Sequence, residues 1–524
     1  MKRHDVKNVV VLMFDSLQYN YLGCNGNPWI ETPNFDRFAA ESVVFDECYI
    51  EGLPTIPCRR AMHTGRYTLP FKGWSPLELD DTTIADLCWG KPIDSAIIFD
   101  AAPYRLPKFG YTRAFDKVWF LHGHEVDHFY YKNDELLHLK PEQFMEDRMK
   151  ETMDKVAGED MYDAVMREMT TFLCQRQYWR SDEDQNVAKV TKEAVRYLEE
   201  VDRNKSFFLW VDNFDPHEPW DAPSVYDPKK KCPYDSEYEG KDMFLPIMGP
   251  ANVYTEEELH HIRMLYAEKV TMCDKWLGYF MDNFRRLGLD DNTMILLVSD
   301  HGEPMGNGEH GHGIMRKCRP WPYEELVHGI FMMRGPSLPA GTRSSAFVQS
   351  CDVAPTVCSW LGLGVQEWHQ GKDLLPLAKG EVDKVRDFAI AGYYRFSWSL
   401  ITEDWSYIHW LKKYDTVNES RFAIYRSEIV AKGTADHLGG VSATNEQATN
   451  VNSEMQQQLA EATRDGHDQW TCVPGSEVIL PDGDELYCRK TDRAQLNNVI
   501  DKHPDVAKQL LRQLREFMSE LRAS

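Results

Sequence analysis

Leu53-Pro54-Thr55-Ile56-Pro57-Cys58-Arg59-Arg60-Ala61-Met62-His63-Thr64-Gly65-Arg66 is the stretch on which the reading of this chain turns. A threonine is followed by proline two positions later and arginine four positions later, and the run closes on Thr64-Gly65-Arg66. Pro57 near the start and Gly65 at the end mark a short helix. Thr55 then stands at a helix N-terminus, where free N–H groups and the helix dipole favour an anion. A threonine hydroxyl alone is a weak nucleophile; beside a metal ion and an arginine it can attack a tetrahedral anionic ester. The same residues also describe a plain helix cap. The chemical reading therefore needs metal ligands from elsewhere in the chain.

Candidates stand at strand ends. Val9-Val10-Val11-Leu12-Met13-Phe14 is apolar without alternation, which predicts a strand buried on both faces, and Asp15 follows it. Ligands of open α/β sheets gather at such carboxyl ends. Thr32-Pro33 opens a capped helix to about Glu41, and Val43-Val44-Phe45 is a short strand before the Thr55 loop. Ser95–Phe99 and Ser206–Val211 read as further buried strands, the second leading into Asp212-Asn213-Phe214-Asp215-Pro216-His217-Glu218-Pro219-Trp220. His217 is held on a proline-stiffened loop. Met294–Val298 is another strand and ends in Ser299-Asp300-His301-Gly302-Glu303. Asp15, Asp300, His301 and the Thr55 hydroxyl make four donors for one divalent metal ion. His310 and His312 lie between glycines further along the same loop.

Strands alternating with helices, such as the Tyr254–Leu287 stretch opened by a Thr255–Glu258 capping box, predict an α/β fold. The expected architecture is a large, mainly parallel sheet sandwiched by helices over residues 1–384. From about residue 385 the texture changes to antiparallel strands at 388–394, 398–402 and 405–411. A smaller C-terminal α+β subdomain, 385–524, is expected, with a polar insertion at 430–470 and a terminal helix at 504–522. That helix and insertion are the places for subunit contacts in a homo-oligomer.

The composition narrows the partners. With 524 residues, 42% hydrophobic content and 12% aromatic content, the chain suits a soluble enzyme with a large core. A net charge of −24 excludes a general nucleic-acid scaffold binder, because phosphate backbones demand a basic footprint. No apolar run approaches the ~20 residues that span a bilayer, so no membrane insertion is expected. The initial apolar run is too short for a secretory signal, so the expected location is cytoplasmic. The scattered cysteines predict free thiols.

In order, these pieces resemble the sulfatase branch of the alkaline phosphatase superfamily over nearly the whole chain. The resemblance rests on Asp15, Thr32-Pro33-Asn34-Phe35-Asp36-Arg37, Thr55-x-Pro57-x-Arg59 through Thr64-Gly65-Arg66, and Pro216-His217-Glu218-Pro219. Asn292-Thr293 leading to Ser299-Asp300-His301-Gly302-Glu303, Asp352-Val353-Ala354-Pro355-Thr356 and Glu485-Leu486-Tyr487 extend it. It implies a hydrolase with Asp15, Asp300, His301 and Thr55 as metal ligands, Thr55 as nucleophile, Arg59 orienting it, and His217 contacting the ester or protonating its leaving group. Lys317 lies near the family's late active-site lysine, with Arg316 and Arg319 competing for that role. Tyr104 and His312 are the further candidates for substrate contact.

Three departures from the family pattern shape the expected chemistry. Sulfatases carry Cys or Ser, oxidised to formylglycine, where this chain has Thr55, and threonine cannot give that aldehyde; no formylglycine is expected. The family's Lys-Trp-His segment is absent, with Asp100-Ala101-Ala102-Pro103-Tyr104 in its region. Ser16 stands where the family often has a second Asp, which suits Mn²⁺ or Zn²⁺ over Ca²⁺. The expected substrate is a small anionic ester: a phosphodiester, phosphomonoester or phosphonate monoester, cleaved through a covalent phosphothreonine. Sulfate-ester hydrolysis by an unusual threonine route, and a sulfatase-like binding protein without catalysis, remain the alternatives at this stage.

Overall fold

The computed structural model of the chain describes residues 6–105, 109–124, 127, 138–157, 161–227, 229–317, 321–411 and 483–523. Their strands, in chain order, are β1 (Asn8–Phe14), β2 (Val43–Tyr49), β3 (Ile93–Phe99), β4 (Lys117–Phe120), β5 (Ser206–Asn213), β6 (Gly249–Pro250), β7 (Thr293–Ser299) and β8 (Met305–Gly306). There follow β9 (Ile314–Met315), β10 (Phe331–Arg334), β11 (Thr342–Gln349), β12 (Ala389–Tyr393), β13 (Ser397–Ile401), β14 (Trp405–Trp410) and β15 (Glu485–Cys488).

Eight strands form the main sheet in the order β11-β2-β10-β7-β1-β5-β3-β4. β1 is central, parallel to both β5 and β7, and all seven of its residues are buried. That burial on both faces is what its unbroken apolar run requires. Alternate β1 side chains feed two cores. Val10, Leu12 and Phe14 pack with the helices Asn186–Glu200 and Glu256–Arg286, while Val9, Val11 and Met13 pack with Ile56, Cys58 and Met62 of the Thr55 helix.

The sheet is mainly parallel with one exception. β10 runs antiparallel against both β2 and β7. The chain re-enters the sheet at the end where β7 stops, with Ser299 N–H donating to the Ile330 carbonyl at 3.1 Å, so β10 can only run back along its neighbour. A second, four-stranded antiparallel sheet, β12-β13-β14-β15, carries the terminal helix Pro504–Ala523. Leu510, Leu514 and Met518 of that helix pack with Leu400, Tyr407 and Leu486. The polar stretch at 430–470 lies outside the described residues.

The Thr55 helix, Thr55–Thr64, is buried at all ten positions. A helix this short is marginal in water, so its place is set by packing and not by propensity. Gly65, at φ 70°, ends it with an N–H bond to the Ala61 carbonyl. Just before it, Leu53 N–H donates to the Gly392 carbonyl of β12 at 3.0 Å, so the second sheet fixes the entry to the Thr55 helix.

Candidate active site

Asp15 leaves the end of β1 fully buried. Ser16 follows in the left-handed region at φ 58°, an uncommon conformation for a residue with a Cβ. The kink is secured three ways. Ser16 N–H donates to Asp300 Oδ1 at 3.0 Å, its hydroxyl to Asp15 Oδ1 at 2.8 Å, and its carbonyl accepts from the Tyr266 hydroxyl at 2.6 Å. Asp300 and His301 arrive from the end of β7, directly beside β1. Gly302 is required there: a Cβ on it would sit 2.1 Å from the Glu325 carbonyl oxygen.

The ligand atoms of Asp15, Asp300 and His301 lie within 4.8 Å of one another, all buried. Thr55 Oγ1 is 3.2 Å from His301 Nε2. The tautomer follows from the other ring nitrogen. His301 Nδ1 sits 2.7 Å from the Gly302 carbonyl, which can only accept, so Nδ1 holds the hydrogen and Nε2 presents a lone pair. Burial, with Lys317 nearby, lowers the ring's pKa to about 4, so it is neutral at pH 7. Sequence positions 15, 55, 300 and 301 thus meet at one point.

Arg59 does something other than reach towards Thr55. Its guanidinium is wholly buried and binds three carboxylates: Asp212 through Nε at 3.1 Å and Nη2 at 2.7 Å, Asp300 at 2.5 Å and Asp15 at 2.9 Å. Burial, the largest single influence, would raise the Asp15 carboxyl, but Arg59 and the neighbouring His217, Lys317 and His301 together outweigh it and hold it well below the usual range. Burial and the charge of Asp15 push Asp300 the other way.

Behind Arg59 lies Tyr104, turned inward from the short helix Ala102–Arg105 and 1% exposed. Its ring is 5.5 Å from the guanidinium carbon and its hydroxyl 3.2 Å from His63 Nε2. With its hydroxyl engaged by His63 and its ring by Arg59, Tyr104 is a support for Arg59 and not a substrate contact. His63 stacks on Trp210 at 4.0 Å, and burial with Arg59 lowers its pKa to about 3. A depressed folded-state value means that this ring's stability contribution is full above about 6.5 and is lost as pH falls towards 3. His63→Phe, which keeps the stacking, is therefore expected to remove about 1.4 kcal/mol per pH unit from the acid limb of unfolding free energy, read by denaturant titration between pH 6.5 and 4.

His217 is buried and lies against Phe214, ring centroids 4.0 Å apart. Its Nδ1 is 2.6 Å from the Glu218 carbonyl, so here too Nε2 carries the lone pair. Burial and Lys317 hold the ring well below its ordinary pKa. A neutral His217 accepts a proton before it can donate one, which alters the expectation that it simply protonates the leaving group. Lys317, 8% exposed, lies 3.4 Å from Ser16 Oγ, 3.8 Å from Glu218 Oε2 and 4.0 Å from Glu303 Oε2. Arg316 pairs with Glu218, and Arg319 lies outside the described residues. His312 is engaged elsewhere, with Nδ1 2.8 Å from Glu325, Nε2 3.1 Å from the Gln495 carbonyl, and its ring stacked on Tyr323. Its surrounding glycines let the loop turn away from the Thr55 centre.

A second buried group, Asp100, His124 and Asp215, also meets the spacing of a metal cluster. Lysine supplies its cation. Lys269 Nζ is 2.6 Å from Asp215 and 3.1 Å from Asp221, and His124 Nε2 lies 3.1 Å from the same Asp215 oxygen that Lys269 contacts. Arg176 closes the network on Asp221 at 2.5 Å. The His217 loop is therefore pinned at both ends by one side chain from the helix Glu256–Arg286.

The first cluster does fit a divalent ion. Asp15 Oδ2 is buried and meets only the Arg59 guanidinium, at 2.9 Å, without a well-directed hydrogen bond. Five buried carboxyls (Asp15, Asp212, Asp300, Glu218, Glu303) face three permanent cations, Arg59, Arg316 and Lys317. Burial pushes Glu303 up to about 8, as it raises Asp300, because the set lacks two positive charges. Donor atoms bound to one ion lie about 3 Å apart, which matches Thr55 Oγ1 and His301 Nε2.

The fold and this site define an ester-bond hydrolase of the alkaline phosphatase superfamily. The sulfatase family profile matches residues 7–363, and the chain belongs to that family. An arylsulfatase of Clostridium perfringens is 25% identical over 410 residues, 73% of this chain and 80% of the relative. PehA of Trinickia caryophylli, a multifunctional alkaline phosphatase superfamily protein, is 23% identical over 440 residues, 74% of this chain and 80% of the relative. Among solved structures, the phosphonate monoester hydrolase of Agrobacterium radiobacter is similar with a TM-score of 0.64 at 19% identity, covering 99% of this chain and 95% of that one. Among the described residues no helix is long and apolar enough to cross a membrane, and no cysteine is in a disulfide.

Proposed function

We propose that this chain hydrolyses small phosphoesters, whether phosphodiester, phosphomonoester or phosphonate monoester, through a covalent intermediate on Thr55. The observation that carries this reading is the threonine hydroxyl at a buried helix N-terminus, 3.2 Å from His301 Nε2 and beside the Asp15–Asp300 carboxylates. Asp15, Asp300, His301 and Thr55 would hold one divalent ion, Mn²⁺ or Zn²⁺ by donor type, which would supply a lowered hydroxyl pKa and a counter-charge for the phosphoryl oxygens.

Thr55 Oγ1 bonds to phosphorus as the bond from phosphorus to the leaving oxygen breaks. His217 takes the threonine proton at its unprotonated Nε2 and passes it to the leaving oxygen, and Lys317 donates hydrogen bonds to that oxygen. Water then attacks phosphorus, returning a hydrogen to Thr55 and releasing the phosphate or phosphonate. The helix N-terminus favours the anion throughout. Threonine selects phosphate over sulfate because in-line water attack on phosphorus needs no aldehyde, whereas a threonine sulfate has no elimination route.

A panel of 4-nitrophenyl sulfate, phosphate, phosphodiester and phosphonate esters, run with Mn²⁺, Zn²⁺ and Ca²⁺, tests this. Turnover of phosphorus esters at least about 10²-fold above the sulfate is expected. Acid quench is expected to trap phosphate on the peptide carrying Thr55. Preferential sulfate turnover would return the chain to the arylsulfatase chemistry of its relatives, and an empty site indifferent to metals would mark a binding protein.

A further inference from the structure

Glu303 is fully buried beside the Asp15–Asp300–His301 cluster, yet neither of its carboxyl oxygens makes a well-directed hydrogen bond among the described residues, because the Ser16 hydroxyl beside it is turned to Asp15 Oδ1. Burying such a group without partners is costly, and its position is not accidental looseness. Two residues earlier is His301, and the backbone between them is locked. Gly302 N–H donates to the Leu326 carbonyl at 2.8 Å, and the Glu303 carbonyl accepts from the Gln18 side chain at 3.1 Å.

What the carboxyl faces is Lys317. Its oxygen lies 4.0 Å from Nζ, and Glu218 Oε2, also without a hydrogen-bond partner, lies 3.8 Å away. Both distances exceed a hydrogen bond and fall within an ion pair's reach. An ammonium has three N–H donors, and the contact with Ser16 Oγ at 3.4 Å engages one of them. Two carboxyls at this range centre the charge without consuming its remaining donors. Direct hydrogen bonds would fix Lys317 more tightly and leave it nothing to give.

We propose that Glu303 is a positioning residue: with Glu218 it holds the Lys317 ammonium beside Ser16 and Asp15, with N–H groups left to bond the leaving oxygen of the ester. The inference rests on the Thr55 reading above and adds to it the group that stabilises charge developing on the departing alcohol. A hydrogen bond of that kind matters most when the alcohol leaves reluctantly.

The test uses the full-length, metal-loaded enzyme and aryl esters with leaving groups graded from 4-nitrophenol to 4-methoxyphenol, in whichever ester class the wild type turns over. The series is run at about pH 9, where the Glu303 carboxyl is ionised, and Glu303→Gln keeps the shape while removing that charge. Its kcat is expected to fall about 30-fold for the 4-methoxyphenyl ester and less than about 3-fold for the 4-nitrophenyl ester, at unchanged metal content. Glu303→Asp keeps the charge one methylene further back and is expected to fall between. Equal losses across the series, or none, overturn the proposal. Should Glu303→Gln fail to fold, Glu303→Asp must by itself show the graded loss, and a uniform loss overturns the proposal equally. Failure of the Thr55 reading is separate: it appears as turnover surviving Thr55→Ala, whatever Glu303 does.

Discussion

Thr55→Ala is expected to lower kcat on the best phosphorus ester by about 10⁴-fold or more, with the fold and the bound divalent ion retained. The size follows from the role proposed for the hydroxyl: if it forms the new bond to phosphorus, its loss removes the covalent route entirely. Retention follows from the ligand set, since Asp15, Asp300 and His301 still converge without Oγ1. Among the described residues Thr55 makes its side-chain bond to His301 alone, and the helix around it is held by nine other buried residues. Metal analysis by plasma mass spectrometry and rapid-quench kinetics read the two halves independently. Thr55→Ser, which keeps the hydroxyl, is expected to stay within about 10²-fold of the wild type. Wild-type rates in Thr55→Ala would dismiss the nucleophile.

Arg59→Met carries the largest expected cost in stability. One guanidinium neutralises Asp15, Asp212 and Asp300 in a region with no solvent exposure. Removing one partner of a buried ion pair typically costs about 3–5 kcal/mol, because the remaining charge is left unpaired. Here three carboxylates are stranded at once, and a loss at the upper end of that range is expected in denaturant unfolding of chelator-treated protein. Divalent metal should restore part of it, since the ion sits on two of the same carboxylates. An equal loss with and without metal would mean that Arg59 and the ion do not share those ligands. Activity is expected to fall with metal affinity, not with the nucleophile's intrinsic reactivity.

The parts of this molecule legible in its sequence are those governed by local pattern. β1 announced itself because Val9 to Phe14 is apolar at every position, and a strand buried on both faces has no other pattern. Asp15, Asp300 and His301 were legible because each follows such a strand. Thr55 was legible through the proline and glycine that bracket its helix. The partners of Arg59 were not: Asp212 lies 153 residues away and its pairing depends on β5 settling beside β1. Lys317 was a candidate by position, but its cage of Glu218 and Glu303 comes from two separate loops. Tyr104 and His312 show the opposite error. Each is a plausible substrate contact by residue type, and each spends its polar atoms inside the fold. β10 has four residues and no periodicity to detect, while β4, at the sheet edge, mixes lysine with aromatics.

The helix Glu256–Arg286 touches both halves of the site. Tyr266 reaches the carbonyl of Ser16 and the N–H of Gln18, and Lys269, one turn later, grips Asp215 and Asp221. Asp274 then caps the helix at Pro33–Ala40 through the N–H groups of Asn34 and Phe35. The loop bearing Asp15 and the loop bearing His217 are thereby coupled through one helix. In amide hydrogen exchange, the protected amides of residues 15–18 and 214–221 should open as one cooperative unit, with a common free energy and a common response to denaturant. On the proposed mechanism, an enzyme built this way could not loosen the His217 loop to admit a larger alcohol without also loosening the Asp15 loop, so breadth of substrate would have to be gained in the outer loops instead.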